Sequence, residues 1–185
     1  MGFPFRARKC VRVHAITYVR AHATGYDGPV STRSHPAVHA WAALLQVHAK
    51  LVPELDAALR RTTGLPLSWY DVLLELDAPH RLRMSDLGER VVLSRTRVSR
   101  LVTEMESHGL VRRESNPDDG RSAFVSITDA GRRRFREAAP HYLAEIQQRF
   151  GGKLDEAELE TMASALRKVL GPAEMATPNS NRGDT

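Results

Sequence analysis

At 185 residues and 42% apolar, the chain can bury one good core, so one domain, or one with an extension, is expected. No apolar run approaches the ~18 residues of a membrane span, the basic start Met1 to Arg6 has no apolar segment behind it that would make a secretory signal, and a lone cysteine, Cys10, excludes an intrachain disulfide and fits a reducing cytoplasm. The net charge of +5 favours polyanionic partners, but arginine outnumbers lysine 23 to 4, a skew that a GC-rich genome produces by itself, so charge placement tells more than the sum.

Residues 1–35 mix Arg, His, Gly and Pro without sustained periodicity and read as a partly disordered N-terminal extension, with a basic arm as the alternative. Pro36 then suits the first turn of a helix. From there Val38, Trp41, Leu45, His48, Val52, Leu55 and Leu59 recur at steps of three and four, a heptad-like stripe over about six turns, with Pro53 as a kink. Arg60-Arg61 and Gly64 end it. A stripe this long predicts packing against a second subunit, so residues 36–65 and 128–171 are assigned to a helical dimerisation region.

Residues 66–127 form a smaller unit. Ser68 is expected to cap a helix through Trp69, Val72, Leu73 and Leu76, and Arg81 to Arg83 suit a short outer strand. Ser85 is expected to start a helix carrying Leu87, Val91 and Val92. Ser94 opens the next one, with Val98, Leu101, Val102 and Met105 inward, and Gly109 stops it. Leu110–Glu114 and Ala123–Ile127 read as strands around the turn chemistry of Asn116-Pro117-Asp118-Asp119-Gly120. Thr128 begins another long helix reaching Phe150, and Asp155 with Glu158 has capping-box spacing ahead of a last helix through Leu170. Residues 172–185 read as a disordered tail. The class is therefore mainly α (α+β): a winged helix-turn-helix with flanking long dimerisation helices.

A winged helix-turn-helix reads double-stranded DNA by laying its second helix in the major groove. Its first turns present Ser94, Arg95, Thr96, Arg97, Ser99 and Arg100. Arginine pairs bidentately with the guanine edge, hydroxyls meet phosphate or base, and the helix N-terminus itself favours phosphate. The competing reading of such a set is a solvated basic face; the hairpin favours DNA, because two separated elements then offer cations to one duplex face.

The span from Leu67 to Gly131 resembles the MarR family of winged-helix transcription regulators. The resemblance rests on Leu87-Gly88-Glu89, on Ser94 through Val102, on Gly109-Leu110-Val111-Arg112-Arg113, and above all on Asn116 through Ser122 followed by Val125 through Gly131. With the flanking helices it covers roughly residues 36–171. It implies a homodimer with intertwined terminal helices, recognition helices in successive major grooves, and a pseudo-palindromic operator with half-sites about 10 bp apart. It also implies that Arg121 reaches the minor groove and that Asp119 holds the wing by an ion pair; Gly120 stands where many relatives have a second arginine.

The resemblance further implies a repressor released by a phenolic or aromatic ligand, by thiol oxidation or by metal. Trp41, Trp69, Tyr70, Asp71 and Arg90 are the candidate lining of a ligand pocket between the dimer helices and the winged unit, against the alternative of core aromatics with a partnered aspartate. Cys10 lies well upstream of Pro36, whereas the family's sensing cysteine starts the first long helix, so a redox-responsive regulator departs from the pattern. No histidine pair has HExxH-like spacing, so no metal or other cofactor is expected. Neither a Gly-rich phosphate loop nor a nucleophile elbow is present, which argues against an enzyme. A dimeric architectural or ligand-binding protein without strong sequence specificity is the remaining alternative.

Overall fold

A computed structural model of the chain describes residues 35–78, 81–115 and 123–171. The expected disorder of the two termini, the environment of Cys10, and the wing tip with Asp119 and Arg121 lie outside the described residues.

The order is α1 (Pro36–Thr63), α2 (Leu67–Leu76), β1 (Leu82–Arg83), α3 (Met84–Arg90), α4 (Arg95–Ser107), β2 (Val111–Ser115), β3 (Ala123–Ile127), α5 (Asp129–Arg149), a 3-10 turn (Gly151–Lys153) and α6 (Glu156–Leu170). Pro36 occupies the first turn of α1, Pro53 is inside it, and Gly64 closes it at φ 72°, donating its N–H to the Arg60 carbonyl at 2.9 Å. Of the 28 residues only Leu55, Ala58 and Leu59 are buried, all in the C-terminal half.

Two helix starts differ from the sequence reading. Helix α2 begins at Leu67 with Pro66 as its N-cap, not at Ser68. The N–H of Leu67 is capped across space by Asp56 of α1, at 2.8 Å, so no local capping side chain is needed. Helix α3 begins at Met84, directly out of β1, with Arg83 at the N-cap; Ser85 lies inside the first turn and donates to Asp86 at 2.8 Å.

The antiparallel sheet has the order β1-β3-β2, with Leu82 opposite Val125, Arg113 opposite Val125 and Val111 opposite Ile127. Val72 and Leu73 of α2, Leu87 of α3, Val98, Val102 and Met105 of α4, and Val111 and Val125 of the sheet are almost fully buried together. That is the core of the reading unit.

Helix α5 starts at the foot of the hairpin. The Thr128 hydroxyl accepts the Gly131 N–H at 3.0 Å and donates to the Gly109 carbonyl at 2.7 Å. The helix then packs back on α1, where Arg134 donates to the Thr63 carbonyl and Arg149 pairs with Glu54. Helix α6 is closed by the expected Asp155/Glu158 capping box, yet buries none of its residues. Trp41, Leu44 and Val47 of α1, Leu143 of α5 and Leu166, Val169 and Leu170 of α6 are exposed. None of the described helices is long and apolar enough to cross a membrane.

Candidate nucleic-acid interface

The first turns of α4 have two clearly different sides. Val98 and Val102 are at most 1% exposed and hold the helix on the core. Arg95, Thr96, Arg97 and Arg100 stand in solvent, as does Ser94, and Ser99 is half-covered. Ser94 is the N-cap residue, but its side chain makes no capping hydrogen bond, which leaves its hydroxyl and the first N–H groups of α4 open to an anion. No described carboxylate pairs with Arg95, Arg97 or Arg100. The structure thus places all six of the sequence-predicted helix residues around one exposed helix start.

The turn before α4 holds a residue the sequence reading misplaced. Val92, expected on the same short helix as Leu87 and Val91, lies beyond its end at Arg90, is 88% exposed and has φ 52°. A β-branched residue in the left-handed region is strained. The chain needs that conformation to reverse between α3 and α4, and valine stands where glycine would sit without cost.

The helix and the wing are tied to each other. Arg113 of β2 donates its backbone N–H and its Nε to the two oxygens of Glu106 of α4, at 3.0 and 2.9 Å, and its guanidinium also reaches the Thr103 hydroxyl. These bonds hold the Glu106 carboxyl below its ordinary range, the backbone N–H of Arg113 being the main cause. Sequence reasoning gave no role to this tether, because Glu106 and Arg113 belong to different elements and neither stands out by type.

The five residues expected to line a ligand pocket do not converge within one chain. Trp69 is buried against His108 at the end of α4, ring centroids 4.9 Å apart. Tyr70, one residue on and so about 100° around the helix, faces Phe135 and Tyr142 of α5 at 5.1 and 4.7 Å. Asp71 is half-buried; desolvation first, then the charges of Glu75 and Asp56, push its pKa up to about 6. Desolvation and the Asp71 charge also raise Tyr142. Arg90 pairs with Glu75 at 3.4 Å and so reaches this cluster only through that carboxylate. Trp41 is 56% exposed, fifteen residues or about 22 Å of helix from Asp56. What the structure does assemble is Tyr70, Asp71 and Tyr142 between α1, α2 and α5; Tyr142 was not singled out, since it lies 71 residues beyond Asp71 in another helix. Among the described residues no cluster of three or more His, Cys, Asp or Glu could hold a metal ion.

A buried three-helix unit, a recognition helix with an open cationic start and a hairpin fastened to it define a winged helix-turn-helix protein. The sequence profile of the MarR family matches residues 63–122. Over the described fold the chain is similar to AbsC, a MarR family transcriptional regulator from Streptomyces coelicolor, with 31% identity, a TM-score of 0.66, and 74% of this chain and 93% of that one covered. It is equally similar to Sco3205 of the same organism, a MarR family regulator solved in complex with DNA, at 30% identity, a TM-score of 0.66 and coverage of 79% and 91%. The PcaV transcriptional regulator of S. coelicolor, solved with its natural ligand, shares 27% identity with a TM-score of 0.59, over 79% of this chain and 99% of that one. The chain belongs to the MarR family. It is a DNA-binding transcriptional regulator and not an enzyme.

Proposed function

We propose that the protein acts as a homodimeric repressor that binds a pseudo-palindromic operator and is released by a small aromatic or phenolic ligand. In this reading Arg97 and Arg100 read base edges, Ser94, Arg95, Thr96 and Ser99 meet phosphate or base, and Arg121 enters the minor groove with Asp119 supporting it. The observation that carries it is the uncovered start of α4, whose cations find no carboxylate partner among the described residues while the opposite face is locked into the core. The likeness to Sco3205, itself solved on DNA, supports the same use of this helix.

Two further observations support the finer parts. The apolar residues exposed on α1 and α6 need a partner surface of the same kind, which a second copy supplies with two-fold symmetry. The Tyr70, Asp71 and Tyr142 cluster lies between the long helices and the reading unit, where a bound aromatic would change their spacing, and PcaV provides a relative solved with a ligand. Footprinting on the DNA upstream of the protein's own gene, repeated with candidate phenolics, tests operator, symmetry and release together. A two-fold footprint, lost in the Arg97→Ala/Arg100→Ala protein and relieved by a phenolic, is expected; binding that survives the double substitution unchanged refutes the assignment of α4.

A further inference from the structure

An open cleft of about 440 Å³ lies behind the wing, between the sheet and the junction of α2 with α5. Arg113 turns toward α4, so by strand alternation Arg112 and Glu114 face the other way, into this cleft. Three guanidiniums line it, those of Arg81, Arg112 and Arg132, with the Ser126 hydroxyl beside Arg112 and with Leu76 and Ile127 as apolar lining.

The cations are under-neutralised. One carboxylate, Glu114, serves both Arg81 and Arg112, at 3.0 Å to each. Arg132 spends a single nitrogen on the carbonyl and the carboxylate of Asp77, both at 2.9 Å. Three guanidiniums therefore share two carboxylates among the described residues. The forks are also held in place. Arg81 lies over the Phe124 ring at 4.2 Å, and the Nε of Arg112 is held by Ser126 at 3.0 Å. Each guanidinium carries five N–H donors, and most of these are not engaged by any described residue.

We infer that this cleft binds a small organic anion, a carboxylate on a compact apolar or aromatic body, at a site separate from the Tyr70, Asp71 and Tyr142 cluster. The volume falls in the range of small-molecule sites, about 300–1,000 Å³. Fixed guanidinium forks match a carboxylate bidentately, and Leu76 and Ile127 match the body behind it. The cleft runs along the outer face of the hairpin from Ile127, opposite Val111, to Glu114, opposite Phe124. The apolar lining of Leu76 and Ile127 fits a metabolite-sized anion with an apolar body rather than a DNA phosphate. Bound there, it joins Arg112 of the wing to Arg132 of the long helix.

The test is an NMR titration of the full chain, without DNA, following the amides of Arg112, Ser126 and Ile127. Benzoate and inorganic phosphate serve as separate probes. Benzoate is expected to give saturable shifts that weaken about tenfold in affinity in Arg112→Gln and in Arg132→Gln. Arg112 is two-thirds exposed, so its substitution leaves the fold intact. The inference is overturned by no saturation up to about 10 mM, a concentration that reveals even millimolar binding, or by shifts unchanged in both variants. It is equally overturned by phosphate acting as strongly as benzoate, or by shifts confined to Asp71 and Tyr142. Since no DNA is present, failure here is distinct from failure of the repressor reading.

Discussion

Glu106 of the recognition helix and Arg113 of the wing strand are joined by two hydrogen bonds, 3.0 Å from the backbone N–H and 2.9 Å from Nε. Helix α4 and the hairpin strand beside it are thereby one rigid part. Because the Glu106 pKa is lowered on folding, the stability from this contact is present above the ordinary glutamate range and is lost as pH falls through the folded value. Glu106→Gln is expected to cost about 0.5–1 kcal/mol at pH 7, the scale of a partly exposed pair. Thermal melts should show the difference from wild type shrinking toward pH 3; a difference independent of pH argues against the ionised contact.

Asp71 gives the opposite slope. Its pKa is raised to about 6, so folding favours its neutral form and the ionised carboxylate destabilises the protein progressively as pH rises from about 4 through 6. Asp71→Asn should raise the melting temperature at pH 7.5 and leave it nearly unchanged at pH 4. A substitution that is destabilising at both values means that the carboxylate has a partner that outweighs its burial.

Gly131 touches the backbone of Leu110, and a Cβ there would run into the Leu110 carbonyl and lie 2.8 Å from Ile127 Cγ1. Backbone cannot swing aside as a side chain can. Gly131→Ala is expected to cost about 3 kcal/mol, at the upper end of overpacking. Gly109→Ala meets open space and should cost only about 1–2 kcal/mol, from its φ of +68°. Urea unfolding of both measures the ordering; equal losses would mean the close approach is not real.

Val92 makes a prediction of the other sign. With φ 52° and its side chain in water, it contributes strain without burial. Val92→Asn, a residue that tolerates the left-handed region, should stabilise by about 1 kcal/mol, read as a higher midpoint in the same unfolding assay. No gain would show that the side chain is held by something that compensates for the strain.

In DNA binding, Arg97→Ala and Arg100→Ala should each cost about 1–3 kcal/mol on the operator and relax base preference locally, if each reads a base. Arg95→Ala, if it meets phosphate, should weaken binding to all sequences alike and reduce the salt slope by about one. Titrations at several salt concentrations on operator and random DNA separate the two outcomes.

Helix boundaries written in local chemistry could be read from the sequence. Pro36, Gly64, Gly109, Thr128 and the Asp155/Glu158 box act on residues within a turn of themselves. The start of α2 was misplaced because its cap, Asp56, is eleven residues away in another helix. Val92 was placed in the helix because valine after valine carries no stop signal, whereas the reversal between α3 and α4 takes it into an exposed turn. The exposed row on α4 was legible, since Val98 and Val102 at helical spacing fix which side must be outside. The pocket was the least legible part. Trp69, Tyr70 and Asp71 are neighbours in sequence and for that reason point to different sides of a helix, and Tyr142, which does join Tyr70 and Asp71, is contributed by a distant element.

Asp56 carries one more consequence. Its carboxylate is clamped by Arg60 on α1 and accepts the first amide of α2, a hydrogen bond that joins the long helix to the reading unit beside the buried contacts of Leu55 and Leu59. A change in the angle between them alters the length of that bond. The exchange rate and chemical shift of the Leu67 amide are therefore a built-in goniometer, reporting how the reading unit is inclined on its support.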